Sequence, residues 1–248
     1  MALFETAMVT GVGGRPTQED SADFYLAEEA GCWVIADGLG GHRGGEVASR
    51  AAVEAMLATF RQQPACRPDL LRRAFVAAER EVLERQAQDP SRHGMRTTAT
   101  VLLADASCAL WGHIGDTRLY HFVGGRIAAQ TCDHSIVQAL VTAGQVRPED
   151  MRANENRNLL TRVLGQGKTG RPTFLGEAVA ARAGEIFLLC SDGFWELITE
   201  EEMELDLAAS GGVPRSWLSM MEERIVARAT RAHDNYTALA VRRNGESR

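Results

Sequence analysis

The sequence predicts a mixed α and β fold, with antiparallel sheets and helices packed outside them, on three observations. Ten short apolar segments of strand length recur along the chain. Two long amphipathic patterns, about 45–62 and 68–87, fall between the early and the middle segments. The strands otherwise come in groups that mostly follow one another directly, which favours antiparallel pairing with the helices laid on the outside.

In order, strands are expected at 4–12, 23–27, 33–36, 98–104, 108–114, 118–123, 127–131, 174–180, 185–190 and 236–242. Alternation is clearest in Thr98-Ala99-Thr100-Val101-Leu102, where side chains of period two face opposite sides. The first helix places Ala48, Ala52, Ala55, Met56 and Phe60 on one side and turns Glu54 and Arg61 elsewhere. The second repeats the pattern with Leu71, Ala74, Phe75, Ala78 and Val82. Trp217, Met220, Met221, Ile225 and Ala229 mark another amphipathic helix near the C-terminus. Between about 135 and 173 the chain reads as helical pieces, 136–143, 148–152 and 157–164, punctuated by Gly144, Gly165, Gly167 and Gly170.

At 248 residues and 45% apolar content, the chain has ample material for a large core. No Pro/Ser-rich linker, repeat or low-complexity tract divides it, so one domain over residues 1–248 is expected. The formal net charge is −6 and the 27 basic residues are spread out, which argues against nucleic acid as a partner. The start Met1-Ala2-Leu3-Phe4-Glu5 lacks the features of a signal peptide. No apolar run nears the ~20 residues that cross a bilayer. A cytoplasmic monomer without a membrane partner is the expectation. The cysteines, at 32, 66, 108, 132 and 190, are odd in number and show no Cys-x-x-Cys spacing. Cys32, Cys108 and Cys190 sit in apolar runs as small hydrophobes. That usage fits a reducing compartment and argues against disulfides or zinc.

Acidic residues stand where apolar runs stop or start. Glu19-Asp20 follows Arg15-Pro16-Thr17-Gln18, and Asp37-Gly38 closes Cys32 to Ala36. Asp116 follows Leu110 to Ile114, Asp192-Gly193 follows Ile186 to Ser191, and Asp234-Asn235 precedes Tyr236 to Val241. A carboxylate at the end of a buried strand sits at the sheet's rim, within reach of water and ligands. Several converging rims would form an all-oxygen cage suited to hard cations such as magnesium or manganese. The pattern points to a metal-dependent hydrolase. The plain alternative for each Asp-Gly is a turn whose carboxylate accepts backbone hydrogen bonds.

The ordered set Arg-x-x-x-Glu-Asp, Asp-Gly-x-Gly-Gly, Gly-Asp-Thr-Arg, Ser-Asp-Gly and Asp-Asn resembles the metal-dependent type 2C protein phosphatases, the PPM family. Arg96-Thr97-Thr98-Ala99-Thr100, Asp133-His134-Ser135 and Asn158-Leu159-Leu160-Thr161-Arg162 fit the same pattern. The resemblance runs from about Arg15 to the last strand. It implies an α-β-β-α sandwich, two central mainly antiparallel sheets flanked by helices, with residues 135–173 as a flap beside the site. It further implies a bacterial-type serine/threonine phosphatase. Its substrates would be proteins phosphorylated by a serine/threonine kinase, and its cofactors two or three Mn2+ or Mg2+ ions that activate water.

By that resemblance Asp37 bridges two ions, the carbonyl of Gly38 and the carboxylate of Glu19 complete one, and Asp192 and Asp234 hold the other. Adjacent side chains on a strand alternate, so Glu19 is expected as the direct ligand and Asp20 as its partner through water. Asp116 is either a third-ion ligand, as in bacterial relatives, or a turn cap. Arg15 matches the family's phosphate-binding arginine, and a guanidinium grips two phosphate oxygens at once. Animal members carry a proposed histidine acid where this chain has Leu39, with His42 three residues on. His134 reads as a structural hydrogen-bonding residue. Two rival functions remain: a phosphoprotein-binding module on the same fold, and a hydrolase of small phosphoesters. Cys66-x5-Arg72, Gly165 to Gly170 and Gly11-x-Gly13-Gly14 match nucleotide or phosphatase patterns only in letters, because the flanking sequence lacks the required strand, loop or helix.

Overall fold

The long apolar strands are hydrophobic on both faces because each face meets a different core. In β3 (Ala30–Leu39), Trp33 and Ile35 point one way while Cys32, Val34 and Ala36 point the other. In β11 (Ile186–Cys190), Phe187 and Leu189 share the core of Trp33, and Leu188 and Cys190 face away from it. The computed structural model describes residues 2–40, 44–167 and 170–245.

Two antiparallel sheets result. One has the order β1 (Phe4–Gly11), β12 (Tyr236–Arg243), β11, β7 (Arg118–Val123), β8 (Arg126–Gln130). The other runs β10 (Val179–Ala180), β6 (Cys108–Ile114), β5 (Ala99–Asp105), β3, β2 (Asp20–Leu26). Short strands β4 (Arg96–Thr97) and β9 (Thr173–Phe174) pair with β3 and β6. Trp33, Leu102, Leu119, Phe187 and Leu239 fill the space between the sheets. Each such side chain contributes about 1.5–3 kcal/mol when fully buried. Helices α1 (Gly45–Gln62) and α2 (Pro68–Gln88) cover the outer face of the second sheet through Met56, Phe60, Leu71 and Phe75. Helices α4 (Asp192–Trp195), α5 (Glu200–Ala209) and α6 (Pro214–Arg228) cover the first through Trp195, Met203, Trp217 and Met221. The layers are therefore α-β-β-α, as the resemblance implied. No described helix is long and apolar enough to cross a membrane.

Strand register brings the acidic turns to one rim. Asp20 lies opposite Asp37 across β2 and β3. Cys190 lies opposite both Arg118 and Ala238, so the segments carrying Asp192, Asp116 and Asp234 meet at the same end of their sheet.

Three local expectations differ from the structure. Residues 157–164 are not helical: Leu160 and Leu164 instead bridge to Ser135 and Thr97, and Arg157 donates to Glu196, so tertiary partners override helix propensity. The expected strand 174–180 is two short pieces, β9 and β10, separated by a turn at Gly176. Helix α5 was not anticipated, although Thr199-x-x-Glu202 forms a capping box at its start. In the 135–173 segment, α3 (Ile136–Thr142) and a 3-10 turn at Pro148–Ala153 do form.

Candidate metal centre

A cavity of about 430 Å³ opens at the shared rim. Glu19, Asp37, Gly38, Asp116, Asp192 and Asp234 all line it, and so does Arg15. Asp20 does not line it. Its carboxylate is buried beneath the rim, where Oδ2 accepts from Ser191 Oγ at 2.7 Å. The alternation expected of Glu19 and Asp20 thus separates a cavity residue from a buried support.

Each acidic residue is fixed by its neighbours. The backbone of Asp37 is held by the two threonines before β5: its N–H donates to Thr98 Oγ1 at 2.9 Å, and its carbonyl accepts from Thr97 Oγ1 and the Thr98 N–H, both at 2.8 Å. Glu19 is held by Asn235, whose Oδ1 accepts its N–H at 2.7 Å. The carbonyl of Glu19 accepts from Ser49 Oγ at 2.6 Å, which ties the segment to α1. Close backbone approach explains the glycines. A Cβ on Gly38 would meet Gly45 O at 2.2 Å, one on Gly45 would meet Glu19 Oε2 at 2.3 Å, and one on Gly193 would meet Asn235 O at 2.1 Å.

Asp116 follows Gly115, whose φ of +96° suits glycine. The Gly115 N–H donates to His134 Nδ1 at 3.1 Å, and Trp195 Nε1 donates to the Asp116 carbonyl at 3.0 Å. His134 stacks on His113 with ring centroids 4.6 Å apart, and burial pushes its pKa down to about 3. It is a neutral hydrogen-bonding residue, matching the structural reading.

The electrostatics of the cluster are those of carboxylates crowded without enough positive charge. Burial first, and then the charge of Asp192, holds Asp37 well above the usual carboxylate range. Burial and the Asp116 charge do the same to Asp192. Burial raises Asp20 to about 6 and Asp116 to about 7, the latter helped by Asp133. Asp20 Oδ1 and Asp192 Oδ1 are buried without a hydrogen-bond partner. Unpartnered buried carboxylate oxygens are costly unless something positive satisfies them. An all-oxygen donor set of this kind fits hard divalent cations. Among the described residues that line the cavity the cation is Arg15, whose Nη2 lies 2.6 Å from Asp234 Oδ2.

Sequence reasoning missed the residues that hold the acids in place. The sequence marks Asn235 and Ser191 only as parts of motifs and gives Ser49 no role, whereas Asn158 and Leu160, from a segment that fits the family pattern, enter the cavity wall from the 135–173 region expected beside the site. Leu39 lines the cavity, whereas His42 lies outside the described residues. Cys66 precedes the start of α2, so Arg72 is on a helix and no phosphate-cradling loop joins them.

A family profile described as "Protein phosphatase 2C" matches residues 12–228. Protein phosphatase PhpP of Streptococcus pneumoniae is 31% identical over 249 residues, which span 98% of this chain and 98% of that protein. The crystal structure of the Mycobacterium tuberculosis serine/threonine phosphatase PstP/Ppp superposes with a TM-score of 0.84 at 29% identity, covering 98% of this chain and 99% of that one. The catalytic domain of PstP solved with two manganese ions gives a TM-score of 0.81 at 28% identity, over 98% and 99% of the two chains.

Proposed function

This chain belongs to the protein phosphatase 2C family, and we propose roles for its own residues in the metal-dependent hydrolysis of phosphoserine and phosphothreonine on proteins. It is a serine/threonine phosphatase with manganese or magnesium as cofactor. The observation that carries the assignment of residues is the convergence of six predicted ligand residues and one arginine on a single cavity.

In this reading Asp37 would be shared by two cations, Glu19 and the Gly38 carbonyl would hold one, Asp192 and Asp234 would hold the other, and Asp116 with Asp192 would offer a third position. Bound there, the cations lower the pKa of water and neutralise phosphoryl charge. The Oδ1 of Asp20, buried beneath the rim without a partner, would accept a hydrogen bond from water held beside Asp37, while Ser191 fixes its other oxygen. Arg15 swings from Asp234 to grip two phosphoryl oxygens and orient phosphorus for in-line attack by water. The bond from phosphorus to the serine or threonine oxygen breaks, and that oxygen leaves with a proton drawn from solvent. No side chain forms a bond to phosphorus.

The reading extends to a single phosphatase domain over 1–248 with a flap at about 135–173. It further takes the protein as a cytoplasmic monomer acting on substrates of a serine/threonine kinase. Asn158 and Leu160 bring that flap segment into the cavity wall, which supports its place beside the substrate. Phosphate release from a phosphothreonine peptide, compared with sugar and nucleotide phosphates under the same manganese concentration, tests the substrate class. Preference for the peptide is expected, and preference for the small esters would refute the protein-phosphatase assignment.

A further inference from the structure

At the opposite end of the second sheet, a different set of donors comes together. Cys66, between α1 and α2, and Asp105 and Cys108, on either side of the β5–β6 turn, place their ligand atoms within 4.8 Å of one another. Cys66 Sγ lies 3.5 Å from Leu103 O, and Cys108 Sγ lies 3.9 Å from Cys66 O. Asp105 Oδ1 is occupied by the Ser107 N–H, the Ser107 hydroxyl and the Cys108 N–H, at 2.7–2.9 Å. Oδ2 stays turned to Cys108 Sγ at 3.8 Å. Both thiols are half-buried and neither is in a disulfide. Sequence spacing gave no sign of this group, because the interhelical segment and the hairpin are 39 positions apart at Cys66 and Asp105 and meet only in the fold.

We propose that Cys66, Cys108 and Asp105 form a second metal site, for a thiophilic divalent cation of the zinc class. Two thiolates and one carboxylate are a donor set for zinc, with a water completing a tetrahedron. They are a poor set for magnesium or manganese, which prefer oxygen alone. Tetrahedral zinc with sulfur at about 2.3 Å holds neighbouring sulfurs roughly 3.8 Å apart, so ligand atoms already within 4.8 Å need to close by only about 1 Å. On binding, the two S–H protons pass to solvent and two metal–sulfur bonds replace the weak S–H donations to Leu103 O and Cys66 O. The cation then staples the α1–α2 connection to the β5–β6 hairpin. This site is distinct from the acidic cavity. Asp105 pairs with Ala30 at the far end of β3 from Asp37, and seven residues of strand separate it from Thr98 by on the order of 23 Å.

Cobalt(II) titration of the reduced, metal-stripped full chain, with magnesium saturating the acidic cavity, tests the proposal. A sulfur-to-cobalt charge-transfer band is expected, because an oxygen-only cavity cannot produce one, and zinc should displace it. Cys66→Ser and Cys108→Ser should each abolish the band, while both keep magnesium-dependent turnover within about twofold of wild type, since neither lies near the cavity. Asp105→Ala should weaken cobalt binding by about tenfold or more. The proposal is overturned if the reduced chain gives no sulfur band, or if the band survives in Cys66→Ser and is lost on changing the exposed Cys132. A Cys66–Cys108 disulfide that forms in air while the reduced chain gives no band also overturns it.

Discussion

The Oδ1 of Asn235 accepts the backbone N–H of Glu19 at 2.7 Å, joining the start of the last strand to the first acidic motif 216 positions away. The same side chain donates Nδ2 to Val12 O at 2.8 Å and to Thr17 O at 3.0 Å. One buried amide therefore shapes the segment that carries both Arg15 and Glu19.

Asn235→Ala should remove these three hydrogen bonds at once, while Val12 O keeps the bond from the Arg15 N–H at 3.2 Å. Each lost hydrogen bond costs about 0.5–1.5 kcal/mol net, so a clear fall in Tm is expected. Because Glu19 loses its anchor, manganese affinity should fall by about tenfold or more. Calorimetric titration checks the second effect, and unchanged manganese binding in a folded variant would show that Asn235 does not position Glu19.

Arg15→Ala should lower kcat/KM on a phosphothreonine peptide by roughly 10- to 150-fold, the worth of a charge-assisted contact of about 1.5–3 kcal/mol. The ion pair it makes with Asp234 is half-exposed, with side-chain accessibilities of 51% and 33%. Such pairs contribute about 0–1 kcal/mol, so Tm should barely move. Arg15 competes with a cation for Asp234, so the variant should bind manganese at least as tightly as wild type. Activity equal to wild type, or a loss fully explained by weaker manganese binding, would rule out a phosphate grip.

Gly45→Ala offers a steric test. The added Cβ meets Glu19 Oε2 at 2.3 Å and Gly38 C at 2.8 Å. Glu19 must shift, and displacement of about 1 Å in a catalytic geometry costs about 10²-fold in rate. Steady-state kinetics across a manganese series should show reduced activity that excess metal restores only in part. Wild-type kinetics would mean the Glu19 carboxylate is not constrained by α1.

His134 gives the fold a defined response to acid. Burial, then the neighbouring charge of His113 and of Arg162, lowers its pKa from 6.5 to about 3. Between those values the unfolded chain binds a proton there and the folded chain does not. The contribution of His134 to stability is therefore fully present above pH 6.5 and is lost as pH falls toward 3. Denaturant unfolding followed from pH 7 to pH 4 should show the wild type losing stability relative to His134→Gln, a difference that isolates this group from the buried carboxylates, whose raised pKa values act in the opposite direction. An identical slope in the variant would place the acid sensitivity elsewhere, and His113, also lowered by burial, is then the next residue to change.

The layer order and the acidic rim were legible because strand ends and periodicity are local properties. Met56, Phe60, Leu71 and Phe75 stand on helix faces that the 3.6-residue period marks, and all are buried as read. Asp37 and Asp192 were visible as carboxylates closing apolar runs. What local pattern could not supply was partnership. Residues 157–164 have helical composition, yet Arg157 reaches Glu196 and Leu164 pairs with Thr97, contacts that exist only once the chain is folded. The triple role of Asn235, the Arg15–Asp234 pair and the meeting of Cys66 with Cys108 are likewise products of long-range packing. Helix α5 was legible in principle through Thr199 and Glu202, but its run of acidic residues hides a narrow buried face of Met203 and Leu207.

The central claim is that the clustered carboxylates hold the cations that drive hydrolysis, with Asp37 shared between two of them. Phosphate release from a phosphothreonine peptide should be measured for the wild type and for Asp37→Asn, in excess chelator and then with manganese restored, alongside the number of manganese ions bound. The account predicts no wild-type activity in chelator and full recovery with at least two ions bound. For Asp37→Asn it predicts fewer bound ions and turnover near background even when the metal is restored. Full wild-type activity in excess chelator, or wild-type turnover by Asp37→Asn, would contradict it.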